Sequence, residues 1–109
     1  MVVNVCPAAV SSAPPERIWT VLTSVERFGE WQDARFVSAE PTGPVEPGQV
    51  VSLAARGYGR EWPVTIEVRD VDPQHRWLDL VVHLPLGIEN HEHVTLTAMK
   101  DGGTLVRFN

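Results

Sequence analysis

Ala13-Pro14-Pro15-Glu16-Arg17-Ile18-Trp19-Thr20-Val21-Leu22, running on to Val25-Glu26-Arg27-Phe28-Gly29-Glu30-Trp31, is the stretch whose reading decides the fold. Two prolines ahead of an apolar-periodic run mark a helix start, because the first helical positions need no amide donor. Ile18, Val21, Leu22 and Val25 fall at helical spacing and make one apolar stripe. Thr23-Ser24 breaks the run, and a short second helix ends near Gly29, with Trp31 just beyond it. Helix is thus confined to roughly residues 14–31.

The flanking segments read as strand and turn. Val2, Val3, Val5 and Val10 give residues 2–10 strand character, interrupted by Pro7. Strands are predicted over Arg35–Glu40 and Gln49–Ala55, separated by a proline- and glycine-rich turn at Pro41–Gly48. Gly57-Tyr58-Gly59-Arg60 reads as a hairpin loop. In 61–71, Trp62, Val64, Ile66 and Val68 alternate with Glu61, Thr65, Glu67 and Arg69, the period of a strand with one buried face. Further strands follow at 76–84 and 88–99, bracketed by turns at Asp72-Pro73 and Pro85-Leu86-Gly87. Asp101-Gly102-Gly103 supplies the positive-φ residues of a tight hairpin into Thr104–Phe108. Successive hairpins after two helices imply an antiparallel α+β arrangement.

Taken in order, these features resemble the START-like superfamily, also called the polyketide cyclase, Bet v 1-like or SRPBCC group. Its members open with a strand, a Pro-Pro-Glu-x-Val-Trp-x-Val-Leu helix and a short helix ending in x-x-Trp. The turn at Asp70–Trp77 and the Gly-Gly-Thr-x-Val at Gly102–Val106 come in the same order, so the likeness covers nearly the whole chain. The resemblance implies a helix-grip fold: a curved antiparallel sheet with two short N-terminal helices, as a single domain over residues 1–109. The family closes with a long C-terminal helix across the concave sheet, whereas this chain stops at Asn109. The expectation is a domain incomplete at its C-terminus, being either a fragment or a homodimer that covers the apolar face with a second copy.

Function is expected from the same resemblance: noncovalent binding of a hydrophobic small molecule (lipid, polyketide or isoprenoid-like) with no cofactor. The alternatives are a polyketide aromatase/cyclase-type enzyme and a cochaperone-like protein-interaction module. The formal net charge of -5 argues against nucleic acid, and with a single lysine there is no polybasic membrane patch. No segment is apolar enough to insert in a bilayer and residues 1–10 lack signal-peptide features, so a cytoplasmic location is expected. Cys6 stands alone, which excludes an intrachain disulfide, and it reads as a buried, inert thiol.

Among residues that could carry chemistry, His91 and His93 share a strand face with Glu89 and Thr95. They lack further ligands, so no metal is expected, and Val94, Leu96 and Ala98 take the opposite face. The strand at 76–84 poses a register question, since Leu78, Leu80, Val82 and Leu84 share one face while Trp77, Asp79, Val81 and His83 share the other. The apolar count favours burial of the first. Were the second buried, Asp79 with His83 or His93 would be the acid–base candidates for a cyclase. Ligand-binding residues are expected at Trp62, Val64, Ile66 and Val106 on the concave face, with Tyr58 and Arg60 (beside Arg56) at the mouth of the cup. Trp19, Trp62 and Trp77 read first as core side chains.

Overall fold

Alternation along the chain closes into one seven-stranded antiparallel sheet, order β1-β7-β6-β5-β4-β3-β2, in a computed structural model that describes residues 8–32 and 34–108. The strands are β1 (Ala8–Ser11), β2 (Arg35–Glu40), β3 (Val50–Gly57), β4 (Arg60–Asp72), β5 (Trp77–Leu84), β6 (Ile88–Ala98) and β7 (Thr104–Phe108). Between β1 and β2 lie α1 (Pro15–Thr23), a 3-10 turn (Val25–Arg27) and α2 (Phe28–Trp31). The sheet is curved and the helical segment sits against its concave face, the helix-grip arrangement. Cys6 and the predicted strand residues 2–7 lie outside the described residues.

The helical segment forms where the prolines and the apolar stripe indicate. Pro15 opens α1 after an extended Pro14, and the helix has no side-chain cap at that end. Its C-terminal half is closed by hydroxyls bonding back one turn: Thr23 Oγ1 donates to the Trp19 carbonyl (2.8 Å) and Ser24 Oγ to that of Thr20 (2.7 Å). Such back-bonding competes with the ladder and lets the chain turn. Leu22, Val25 and Phe28 then point into the sheet and are buried. Phe28 is fully buried, and burial of a side chain that size contributes roughly 2–3 kcal/mol. Trp19 is partly buried and packs against the core.

Register decides which side chains meet the helices. Leu53 pairs with Val64, Val51 with Ile66, Ile66 with Val82, and Val68 with Leu80, a continuous apolar band on the concave face. Leu78 and Leu80 are buried there, so the register question in β5 resolves to the leucine face. Val81, on the other face, is also buried, flanked directly by Glu67 and His91.

The turns differ in detail from a glycine-only scheme. The β3–β4 loop is just Tyr58-Gly59, with φ of 54° and 74°, the pattern of a two-residue primed turn. In the β6–β7 hairpin Gly102 has positive φ (90°) but Gly103 does not. A Cβ on Gly103 would lie 2.5 Å from the Ser11 carbonyl oxygen, so close approach of β1 is what requires glycine there. Asp72 orders the β4–β5 turn by accepting the N–H groups of Gln74 (3.0 Å) and His75 (3.1 Å). The His75 ring also bonds its carboxylate, which holds the Asp72 carboxyl below the usual range.

Candidate functional site

Two clefts open on the concave face. The first, about 460 Å³, lies between the β3–β4 and β5–β6 hairpin tips. Ala55, Trp62, Val64, Leu84, Leu86 and Ile88 make it almost wholly apolar. The Trp62 indole N–H donates to the Gly57 carbonyl (3.0 Å), so the ring presents only its apolar body, and the Arg60 guanidinium lies 4.1 Å over it. Tyr58 and Leu86 stand at the rim, 99% and 91% exposed, both with positive φ. Holding two large non-glycine residues in that conformation costs of order 1 kcal/mol each.

The second cleft, about 370 Å³, lies between α2, β6 and the β7–β1 edge. Trp31, Gln32, Asn90, Glu92 and Phe108 line it. Trp31 packs its ring edge-on to Phe28 (centroids 5.0 Å) and near Phe108 (6.0 Å), which places the indole against the sheet. The Gln32 amide donates to Glu92 Oε2 (3.2 Å) and the Asn90 amide to Glu92 Oε1 (3.3 Å). Burial pushes the Glu92 carboxyl above its ordinary value, with the Gln32 hydrogen bond opposing. The buried Trp31 indole N–H has no hydrogen-bond partner among the described residues. Along β6, Ile88 borders the first cleft, and Asn90 and Glu92, on the same face, border the second.

The sequence candidates divide between the two faces. Trp62, Val64 and Tyr58 line the first cleft, and Arg60 stacks on Trp62. Ile66 and Val106 do not border either cleft; both are packed into the core. Asp79, His83 and His93 lie on the convex face, away from the cup, because β5 spends its leucine face on the helices. There His93 is hydrogen-bonded to Asp79 and its ring lies 5.4 Å from Trp77. Trp77 is thus a convex-face side chain rather than a core one. His83 sits between Glu67 (3.6 Å) and Glu89 (3.4 Å), and His91 also approaches Glu89 (3.4 Å). Among the described residues no group of three His, Cys, Asp or Glu is arranged to hold a metal.

Glu92 and Asn90 were not among the sequence candidates. Their signal was available, because the parity that turns Val94 inward turns both of them inward too.

Residues 7–109 match the model of a family described as polyketide cyclase / dehydrase and lipid transport. The chain belongs to this family. Solved structures carry the same fold. A crystal structure of Ara h 8.0201 aligns at a TM-score of 0.69 with 19% identity, covering 96% of this chain and 76% of that one. A Rhodobacter sphaeroides crystal structure gives 0.67 at 22% identity, covering 94% and 70%. A Cytophaga hutchinsonii solution structure gives 0.60 at 18% identity, covering 100% and 79%. Among curated proteins none matches the chain. Membership of the START-like superfamily, and with it the helix-grip architecture, follows; the family's description places the chain among proteins that handle hydrophobic molecules. No helix among the described residues is long and apolar enough to cross a membrane.

Proposed function

We propose that this protein binds an apolar small molecule, of lipid, polyketide or isoprenoid-like chemistry, noncovalently in the concave cup. The observation that supports it most is the cleft between Trp62, Val64 and Ile88, which is apolar yet left open. Apolar area exposed in a concave site gains free energy when a ligand displaces its water, roughly 25 cal/mol per Å² covered. Tyr58 and Leu86, held at the rim by strained turns, would close over the ligand's outer edge. Were the protein instead a cyclase, the acidic group placed to shuttle a proton inside the cup would be Glu92 rather than Asp79, since Asp79 faces outward.

The test is uptake of the apolar fluorophore phenylnaphthylamine by wild type and by Ile88→Glu. Wild type is expected to bind with enhanced emission, and the variant to lose binding while keeping its circular dichroism spectrum. Absence of binding to wild type, or equal binding by the variant, would overturn the assignment.

A further inference from the structure

Strand parity turns Ile88, Asn90, Glu92 and Val94 of β6 to one face, so a single carboxylate stands in an otherwise uncharged row. In the cleft between α2, β6 and the β7–β1 edge, Glu92 is the only lining residue that titrates; the others are alanine, aromatic or amide. Two amides hold it, Gln32 from α2 (3.2 Å) and Asn90 from its own strand (3.3 Å). Neither carries a net charge. Among the described residues every ion pair uses another carboxylate, that of Glu30, Glu61, Glu67, Asp72, Asp79 or Glu89. Ionised Glu92 is thus a negative charge partly withdrawn from water with no counter-ion, and burial raises its carboxyl accordingly. It also retains accepting capacity, because a carboxylate oxygen has two lone-pair directions and each amide uses one.

We propose that this cleft binds a small organic ammonium ion, an amine carried on a compact aromatic or apolar body, with Glu92 as its counter-ion. An ammonium group meets both demands of the carboxylate at once: it cancels the charge and brings N–H donors to the free lone pairs. Such charge-assisted bonds are roughly twice as strong as neutral ones. The walls suit the same ligand, since Trp31 and Phe108 line the cleft and an aromatic face attracts a cation. A volume of about 370 Å³ suits a short arylalkylamine rather than a long-chain lipid. The amides of Gln32 and Asn90 serve as positioning groups, fixing the carboxylate before the ligand arrives. Other occupants fit less well. A ligand carboxylate would set a second negative charge beside Glu92. A hydroxyl would donate one neutral hydrogen bond and leave the charge uncancelled. A metal ion would lack ligands, as no group of three is arranged to hold one among the described residues. The site stands apart from the apolar cleft at Trp62 and does not depend on how that cleft is used.

The experiment is titration with phenethylamine, phenethyl alcohol and hydrocinnamate, which share one aromatic body and differ in the charge of the end group. Nitrogen-15 NMR reports both affinity and place. Wild type is expected to bind the amine roughly ten-fold more tightly than either of the others, the lower range for a hydrogen bond to a charged group. The Gln32 and Asn90 side-chain amide signals should move with it, and the Trp62 indole signal should not. The amine keeps its charge below about pH 8, so its affinity should follow ionisation of Glu92 and fall by more than two-fold between about pH 8 and about pH 4.5. Glu92→Gln should lose the preference for the amine. Glu89→Gln, on the opposite face of the same strand, makes the same change in net charge and should keep it. Equal binding of the three compounds by wild type would overturn the site. So would an affinity level across that pH range, a preference that survives in Glu92→Gln or disappears in Glu89→Gln, or a response at Trp62 in place of Gln32 and Asn90. None of these results bears on uptake of phenylnaphthylamine in the first cleft.

Discussion

Replacing Gln49 by alanine should destabilise this domain by about 3 kcal/mol, a large loss for one polar side chain. Gln49 is 0% exposed and lies where the loop after β2 rejoins the sheet. Its amide nitrogen donates to the carbonyls of Pro41 (2.8 Å) and Gly43 (3.2 Å), and its amide oxygen accepts the Glu46 N–H (3.3 Å). Three net hydrogen bonds at about 1 kcal/mol each give the figure, with the loop carbonyls left facing a cavity. The consequence reaches the cup, because the same loop ties down α1 through the Val45 N–H bonded to the Thr23 carbonyl (3.0 Å). Urea denaturation at neutral pH is the assay; the midpoint should fall with the slope unchanged. Gln49→Glu should be worse than Gln49→Ala at neutral pH, since a carboxylate would face two carbonyl oxygens. Its folded-state pKa would be raised, so stability should fall as pH climbs through that value and recover below the unfolded pKa. A loss below about 1 kcal/mol for the alanine variant, or a glutamate variant no worse than alanine, would refute the account.

Two further outcomes follow from single contacts. Glu92 has a carboxyl raised in the folded state, so its contribution is fully present below the unfolded pKa and is lost as pH rises through the folded one. Glu92→Gln should therefore be more stable than wild type at neutral pH, with the difference vanishing in acid; denaturation at several pH values checks it. Gly103→Ala should weaken the β1–β7 pairing, because the new methyl meets the Ser11 backbone oxygen at 2.5 Å rather than a movable side chain. Faster hydrogen exchange confined to β1 and β7 is the expected readout.

Much of the fold was legible in residue order. Pro14-Pro15 and the Ile18/Leu22 stripe place α1, and period-two alternation at Trp62, Val64, Ile66 and Val68 places β4 with its buried face. Four aliphatic residues on one side of β5 against Val81 and a tryptophan on the other favoured the leucine face, the one that is buried under the helices, but left the question open because Val81 is buried too. The candidate site was legible only in part. Trp62 and Val64 reach the cup, whereas Ile66 and Val106 share their alternation but are covered by core packing. Alternation reports the face a residue takes, and burial along that face depends on where the helices land. The histidines drew attention by type, but type says nothing about which face is concave.

Sequence by itself therefore determined the helical segment, the order of the strands after it and the inward face of β4, because turn chemistry and the strand period act between neighbours along the chain. Tertiary structure alone decided the site. Gln32 meets Glu92 across 60 positions, and Trp31 meets Phe108, only because α2 folds onto the far side of a curved sheet. The Glu92 carboxyl is raised by that enclosure and not by any neighbour in sequence. Desolvation is a property of everything packed around a group, and no local pattern carries it.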